Sequence, residues 1–248
     1  MRKRMMHKLT THKLTMAFAA LLVVLTGGAF AADDGYRNTP PTLEGIGKSY
    51  MGRDIPYLMG HEAADWLERR ERAEEEGTGR LIPMLKLKPT DVVADIGAGT
   101  GYFTFRLARE VPEGKVYAVD VQPEMLDRIR ARIKSNKISN VEPVHGSIAS
   151  PRLPSNTVDL ILLVDAYHEF ALPREMGAAM VWSLKPGGRI ALVEYRGEDP
   201  NVPIKALHKM TVEQARKEFE PLGLKFVSVN SSTLPWQHLM IFEKPRPE

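Results

Sequence analysis

The 248-residue sequence predicts an α/β fold, a doubly wound, mostly parallel seven-stranded sheet ending in an antiparallel hairpin strand. Three observations point there. Residues 92–101 join an apolar run, Val92-Val93-Ala94-Asp95-Ile96, to alternate glycines at Gly97, Gly99 and Gly101, ahead of a helical pattern. From Asp91 onward, strand-like and helix-like stretches alternate, as they do where crossover helices cover a parallel sheet. The last two strand-like runs are separated by only about seven residues, too few for a parallel crossover, so they must pair as a hairpin.

The chain opens differently. Residues 1–15 carry Arg2, Lys3, Arg4, Lys8 and Lys13 and no acid, 16–28 are almost wholly apolar, and Ala29-Phe30-Ala31 fits a small-x-small cleavage site. This is the pattern of a secretory signal peptide, so residues 1–31 are expected to be removed and the product to be periplasmic or secreted. An apolar core of about 13 residues is too short for an ordinary spanning helix, so no stable membrane anchor is expected. The leader holds five of the 34 basic residues and none of the 31 acidic ones, which leaves 29 basic against 31 acidic. The formal charge of +3 therefore resides in the leader, and no nucleic-acid partner is expected. No cysteine is present, which excludes disulfides, thiolate metal sites and a cysteine nucleophile.

Residues 32–80 read as an N-terminal arm and charged helix, and 81–248 as the main domain. The arm, 32–60, is rich in Gly, Pro and polar residues and is expected to be irregular, with Tyr50, Tyr57 and Met59 packing on the domain or reaching over a pocket. Residues 62–76 predict a surface helix with Glu68 and Arg72 at i, i+4. A short helix over 81–87 is stopped by Pro89. Strand 92–96 then leads to a helix over 102–111, where Phe103, Leu107 and Val111 form one apolar stripe. Strand 115–121, a helix over 123–134 with Met125, Ile129 and Ile133 on one face, and strand 140–144 follow. The uninterrupted apolar run 158–164 suits the sheet centre. A helix over 173–184, strand 189–195 and a helix over 211–222 come next, the last opened by Thr211 and Glu213 in a capping arrangement. Strands 225–231 and 239–243 close the chain.

The glycine loop narrows the ligand. A triphosphate loop requires Gly-Lys-Ser/Thr, which is absent. The dinucleotide fingerprint spaces its glycines Gly-x-Gly-x-x-Gly, whereas here they alternate and Asp95 precedes them. An acid at that position repels a pyrophosphate and favours a positive group. Asp120, ending the second strand, is placed for two ribose hydroxyls. Together these residues suit a nucleoside carrying a positive charge, and S-adenosylmethionine is that ligand.

Asp95-Ile96-Gly97-Ala98-Gly99-Thr100-Gly101, Val119-Asp120, Leu184-Lys185-Pro186-Gly187-Gly188 and the closing hairpin together resemble the class I S-adenosylmethionine-dependent methyltransferases, of Rossmann-like fold. The match covers roughly residues 80–244. The resemblance implies S-adenosylmethionine as cofactor. Asp95, Gly97, Ala98, Gly99 and Gly101 would lie at its methionine part, Asp120 and Val121 at the ribose, and Ser147 and Ile148 at the adenine. Ser147 stands where many members carry an acid. The implied reaction is an in-line displacement at the sulfonium methyl, which demands alignment and exclusion of water.

After the fourth strand comes Asp165-Ala166-Tyr167-His168-Glu169-Phe170, which in the family faces the transferable methyl. Asp165 is taken with the cofactor residues, His168 as a candidate general base and Glu169 as the group that orients it. Amino-directed DNA methyltransferases carry an Asn/Asp-Pro-Pro-aromatic motif here, and base-carbon and arsenite methyltransferases use cysteines. Neither occurs in this chain, so the expected acceptor is a small molecule. The loop 197–203 is a candidate lid, with His208 beyond it and Trp236 and His238 at the hairpin bend. No spacing brings His168, His208 and His238 together, so no metal is expected. Two other functions fit the same residues: a nucleoside-binding protein that has lost transfer, and methylation of a protein side chain.

Overall fold

The computed structural model describes residues 34–247, and the segment 1–31, expected to be a signal peptide, lies outside them. The arm is more ordered than its composition predicts. Strands β1 (Tyr36–Asn38), β2 (Gly45–Tyr50) and β3 (Arg53–Pro56) form a small antiparallel sheet, with Tyr50 and Ile55 fully buried. Residues from Gly35 onward form one compact unit, so this sheet packs as part of the main body.

The expected charged helix is broken into α1 (Ala64–Leu67) and α2 (Arg72–Glu75). Two arginine side chains explain the break. Arg69 donates to the Trp66 carbonyl at 3.0 Å and Arg72 to the Leu67 carbonyl at 2.9 Å, so guanidinium groups take the acceptors a continuing helix would use. Arg72 and Glu76 are buried and paired at 2.9 Å rather than lying on the surface. Helix α3 (Thr78–Met84) follows.

The central sheet is built from β4 (Val92–Ile96), β5 (Lys115–Asp120), β6 (Val141–His145), β7 (Val158–Val164), β8 (Leu184–Arg196), the two-residue β9 (Lys209–Met210), β10 (Lys225–Asn230) and β11 (Gln237–Glu243). Helices α4 (Thr104–Glu110), α5 (Pro123–Asn136), α6 (Pro173–Ser183) and α7 (Val212–Phe219) connect them. The strand order is β10-β11-β8-β7-β4-β5-β6, with β9 beside the end of β8. Strand β11 runs antiparallel to both β8 and β10, and the other pairings along the path are parallel. The fold is therefore the mostly parallel α/β sheet with an antiparallel C-terminal hairpin that the sequence predicts.

Side chains alternate across this sheet. Val93, Leu160, Leu162 and Val193 pack with Leu107, Leu126 and Ile129 on one face. Ala94, Ile161, Leu163 and Leu192 pack with Met176, Met180 and Phe219 on the other. Strand β8 begins earlier than predicted: Leu184 pairs with Val158, and the register then jumps so that Leu160 faces Arg189. Lys185-Pro186-Gly187-Gly188 is thus a bulge inside the strand, not a loop before it. At α7, Thr211 accepts the Gln214 N–H at 3.0 Å, so Gln214, and not Glu213, occupies the third position of the cap.

Candidate active site

Strand order reverses at β4, whose neighbours are β5 and β7. A crevice opens outside the strand carboxyl ends at such a point, and here it is a cavity of about 410 Å³. Its floor is the turn after β4. Gly97 has φ 75° and Gly99 φ 54°, and a Cβ on either would come within 2.6 Å of Ala166 or 2.8 Å of Leu67. Glycine is required at both, because the chain turns in the left-handed region with neighbours pressed against it. Ala98 also lines the cavity, whereas Gly101 packs below it against Phe105 and Ile129.

Three acids surround this floor. Asp95 is buried and accepts from Thr104 Oγ1 at 2.6 Å; burial, with Asp120 nearby, pushes its carboxyl up to about 6. Asp120 accepts the Gly99 N–H at 2.8 Å and the Gln122 N–H at 2.9 Å, one on each oxygen, so it holds the glycine loop in shape and keeps lone pairs for a ligand. Burial raises its carboxyl despite these N–H groups. Asp165 sits at φ 48° directly after β7. Burial, with Glu76 and Glu194 near, raises its carboxyl well above the ordinary range, and its Oδ1 is buried without a partner. Val121, Ser147 and Ile148 form the edge below Asp120.

The roof comes from the N-terminal segment. Leu58, Met59, Trp66 and Leu67 line the cavity. Gln122 ties the roof down, donating to the Met59 carbonyl at 3.0 Å and accepting the His61 N–H at 2.8 Å. Thr100 donates to Glu68 at 2.6 Å. Met59 thus reaches over the pocket as expected, while Tyr50 lies in the core and Tyr57 is half-exposed.

At the other end of the cavity, the turn Tyr167–Glu169 and the turn Ala206–His208 bring three side chains together. His168 Nε2 lies 3.0 Å from His208 Nδ1, and Glu169 Oε1 lies 3.9 Å and 3.7 Å from those two nitrogens. The group that orients His168 is Glu194 on β8: its Oε2 accepts from Nδ1 at 2.6 Å and its Oε1 accepts the His168 N–H at 3.3 Å. Glu169 instead faces the cavity side of the ring, with its Oε2 accepting the Met59 N–H at 3.2 Å. Burial pulls the His168 imidazole down, but Glu194 outweighs it and the net direction is up. Burial and the neighbouring His168 lower His208.

No local spacing encodes a meeting of His168 and His208; the structure joins them, which corrects the expectation that they stay apart. His238 is fully buried on β11 opposite Glu194 and is not part of the cavity wall. The loop 197–203 leaves the wall to Ile204, Lys205 and His208, which follow it. Glu194, behind His168, and Arg72, in the cavity wall, are positions that the sequence pattern does not single out for the site. Glu194 reads as one more residue of an apolar strand, and Arg72 as half of a surface helical pair.

A family model described as a methyltransferase domain matches residues 93–188, the segment that carries Asp95, the glycine loop, Asp120 and the 165–169 turn. Residues 93–188 thus carry a methyltransferase domain, set in the Rossmann-like fold of the S-adenosylmethionine-dependent methyltransferases. An uncharacterized methyltransferase-like protein of Schizosaccharomyces pombe is 38% identical over 114 residues, 46% of this chain and 41% of that protein. An arsenite methyltransferase of Halobacterium salinarum is 28% identical over 136 residues, 54% of this chain and 35% of that protein. A demethylmenaquinone methyltransferase of Listeria welshimeri is matched over 51% of its length, so the chain spans about half or less of these relatives. Among solved structures, a SAM-dependent methyltransferase from Aquifex aeolicus superposes with TM-score 0.70 at 22% identity, covering 75% of this chain and all of that one, which establishes the shared fold.

S-adenosylmethionine is the cofactor of this family, and the residues present fit it. Glycines leave a cradle that a Cβ would fill, Asp120 retains acceptor capacity, and Asp165, whose buried Oδ1 has no partner, lines the cavity together with Asp95 and Asp120, a set of acids suited to a cation.

Proposed function

We propose that this protein transfers a methyl group from S-adenosylmethionine to a small-molecule acceptor seated between the glycine loop and the His168–Glu169–His208 cluster. The observation that carries the proposal is the continuity of one roofed cavity from Asp120 to that cluster. When bound, S-adenosylmethionine supplies an electrophilic sulfonium methyl. Asp120 would hold the ribose, Val121, Ser147 and Ile148 would border the adenine, and Asp95 and Asp165 would face the positively charged part. Arg72, at the cavity wall with its guanidinium between Glu76 and Tyr102, is a basic group available to the donor carboxylate. Trp66, Leu67, Met59 and Phe170 exclude water from the transfer line. Glu169 and His208 present their polar atoms to the acceptor, and His168, held from behind by Glu194, fixes their position.

The roof supports a small acceptor, because a polypeptide or nucleic acid needs an open groove. The absence of cysteine separates this chain from the cysteine-dependent chemistry of arsenite methyltransferases. The basic leader followed by an apolar run supports action outside the cytoplasm.

Incubating the purified protein with methyl-labelled S-adenosylmethionine and a cell metabolite extract tests the proposal. Label is expected in a small-molecule fraction. Labelled protein bands would favour side-chain methylation instead. Tight donor binding with no labelled product from any extract would leave a binding protein and overturn the enzymatic reading.

A further inference from the structure

We propose that His168, Glu169 and His208 form a binding site for a divalent transition-metal ion, zinc by its donor set, on the acceptor wall of the cavity. The three atoms His168 Nε2, His208 Nδ1 and Glu169 Oε1 form a triangle with sides of 3.0, 3.7 and 3.9 Å. Zinc binds imidazole nitrogen and carboxylate oxygen at about 2.0–2.2 Å in a tetrahedron, which places ligand atoms about 3.4 Å apart. The observed sides straddle that value, so small side-chain rotations suffice to close the site. An octahedral ion with the same three ligands on one face needs sides of about 3.0 Å, which only one edge meets. Two imidazoles also disfavour magnesium and calcium, which take oxygen ligands.

The support around the ligands is of the kind metal sites need. The nitrogen of His168 that would not bind the ion is fixed by Glu194 Oε2 at 2.6 Å, with Glu194 wholly buried. A carboxylate behind a ligating histidine fixes its orientation and raises its basicity. Glu169 has Oε2 held by the Met59 N–H, leaving Oε1 for the ion. Arg53 Nη1 donates to the His168 carbonyl at 2.8 Å and pins the turn that carries two of the ligands. A dication with Glu169 and Glu194 leaves no net charge among these groups, so burial would be compensated. The fourth position would open on the cavity, as in catalytic rather than structural zinc sites. Resting on the methyl-transfer reading, the site selects acceptors that present an ionisable oxygen or sulfur to the ion.

The test uses the protein purified without a polyhistidine tag, dialysed against zinc and assayed for bound metal, with cobalt substitution followed in the visible spectrum. One equivalent of zinc and an intense four-coordinate cobalt spectrum are expected. His208→Ala and Glu169→Ala should each weaken zinc binding at least about a hundredfold, and Glu194→Gln by about 10–100-fold. S-adenosylhomocysteine affinity, measured by calorimetry, should stay within about threefold in all three variants, which separates loss of the metal site from loss of the fold or the donor site. Substoichiometric zinc in the unmodified protein, a six-coordinate cobalt spectrum, or unchanged zinc affinity in His208→Ala would overturn the proposal.

Discussion

Arg53→Met tests whether the N-terminal sheet is an integral support of the acceptor side. The Arg53 guanidinium contacts Glu218 twice, Nε to Oε1 at 2.8 Å and Nη2 to Oε2 at 3.0 Å, and Nη1 donates to the His168 carbonyl at 2.8 Å. Glu218 has 0% side-chain exposure and Arg53 has 9%. Methionine preserves most of the apolar stem and removes all three donors. Gln214 Nε2, at 2.8 Å, remains on Glu218 but is a neutral partner. Breaking a buried pair from one side costs ~3–5 kcal/mol, because the remaining charge cannot regain its hydration. In a domain of this size that lowers Tm by roughly 6–20 °C. Replacing both partners, Arg53→Met with Glu218→Leu, removes the stranded charge and should return stability to within about 2 kcal/mol of the parent. Urea unfolding of the parent, both single variants and the double variant measures the coupling. A loss below about 1 kcal/mol for Arg53→Met, or a double variant no more stable than the single one, would refute the reasoning.

Three other outcomes follow from the donor side and one from the leader. Asp120→Ala should weaken S-adenosylhomocysteine binding about tenfold or more, on the order of the ~1.5–3 kcal/mol of hydrogen bonds to a charged group; unchanged calorimetric affinity would remove Asp120 from the donor site. Asp95 has its folded value raised to about 6, so the native state holds this proton more tightly than the unfolded chain; the contribution favours folding below pH ~4 and is lost as pH rises through ~6. Asp95→Asn keeps an acceptor for Thr104 and should gain up to about 3 kcal/mol on the parent by pH 7 and almost nothing at pH 4, so a pH-independent difference in urea unfolding would sink this account. Gly97→Ala forces a Cβ to 2.6 Å from that of Ala166 at φ 75° and should cost ~1–3 kcal/mol, read as a fall in Tm. Intact-mass analysis of protein recovered from the producing cell should show a chain beginning at residue 32, and an unprocessed mass would contradict the signal peptide.

The glycine-loop end of the cavity was legible because its determinants are local. Asp95, Gly97, Gly99 and Asp120 occupy fixed offsets at the ends of two adjacent parallel strands, β4 and β5, whose apolar pattern announces itself. The strand and helix pattern likewise yielded the sheet and its antiparallel end, since a short connection leaves the chain no other pairing. The parts that composition misjudged are those where side chains override it. Arg69 and Arg72 turn an expected surface helix into a buried corner above the glycine loop, and Tyr50 and Ile55 anchor strands in an arm rich in Gly and Pro.

The end of the cavity at His168 and His208 was hidden for the opposite reason. His168 and Glu169 follow β7, Glu194 lies in β8, His208 follows a loop, and Arg53 reaches in from β3. Their meeting depends on β7 and β8 being neighbours and on the small N-terminal sheet packing beside them, neither of which any local spacing encodes. This division has a functional consequence. The glycine floor is one strand–turn–helix unit, set by a single stretch of chain. The acceptor wall is assembled from separate elements, so each can change without disturbing the floor. Under the proposed function, substitutions of cavity-lining residues in the 167–169 turn and the 204–208 segment should therefore alter use of the acceptor before they alter binding of the donor.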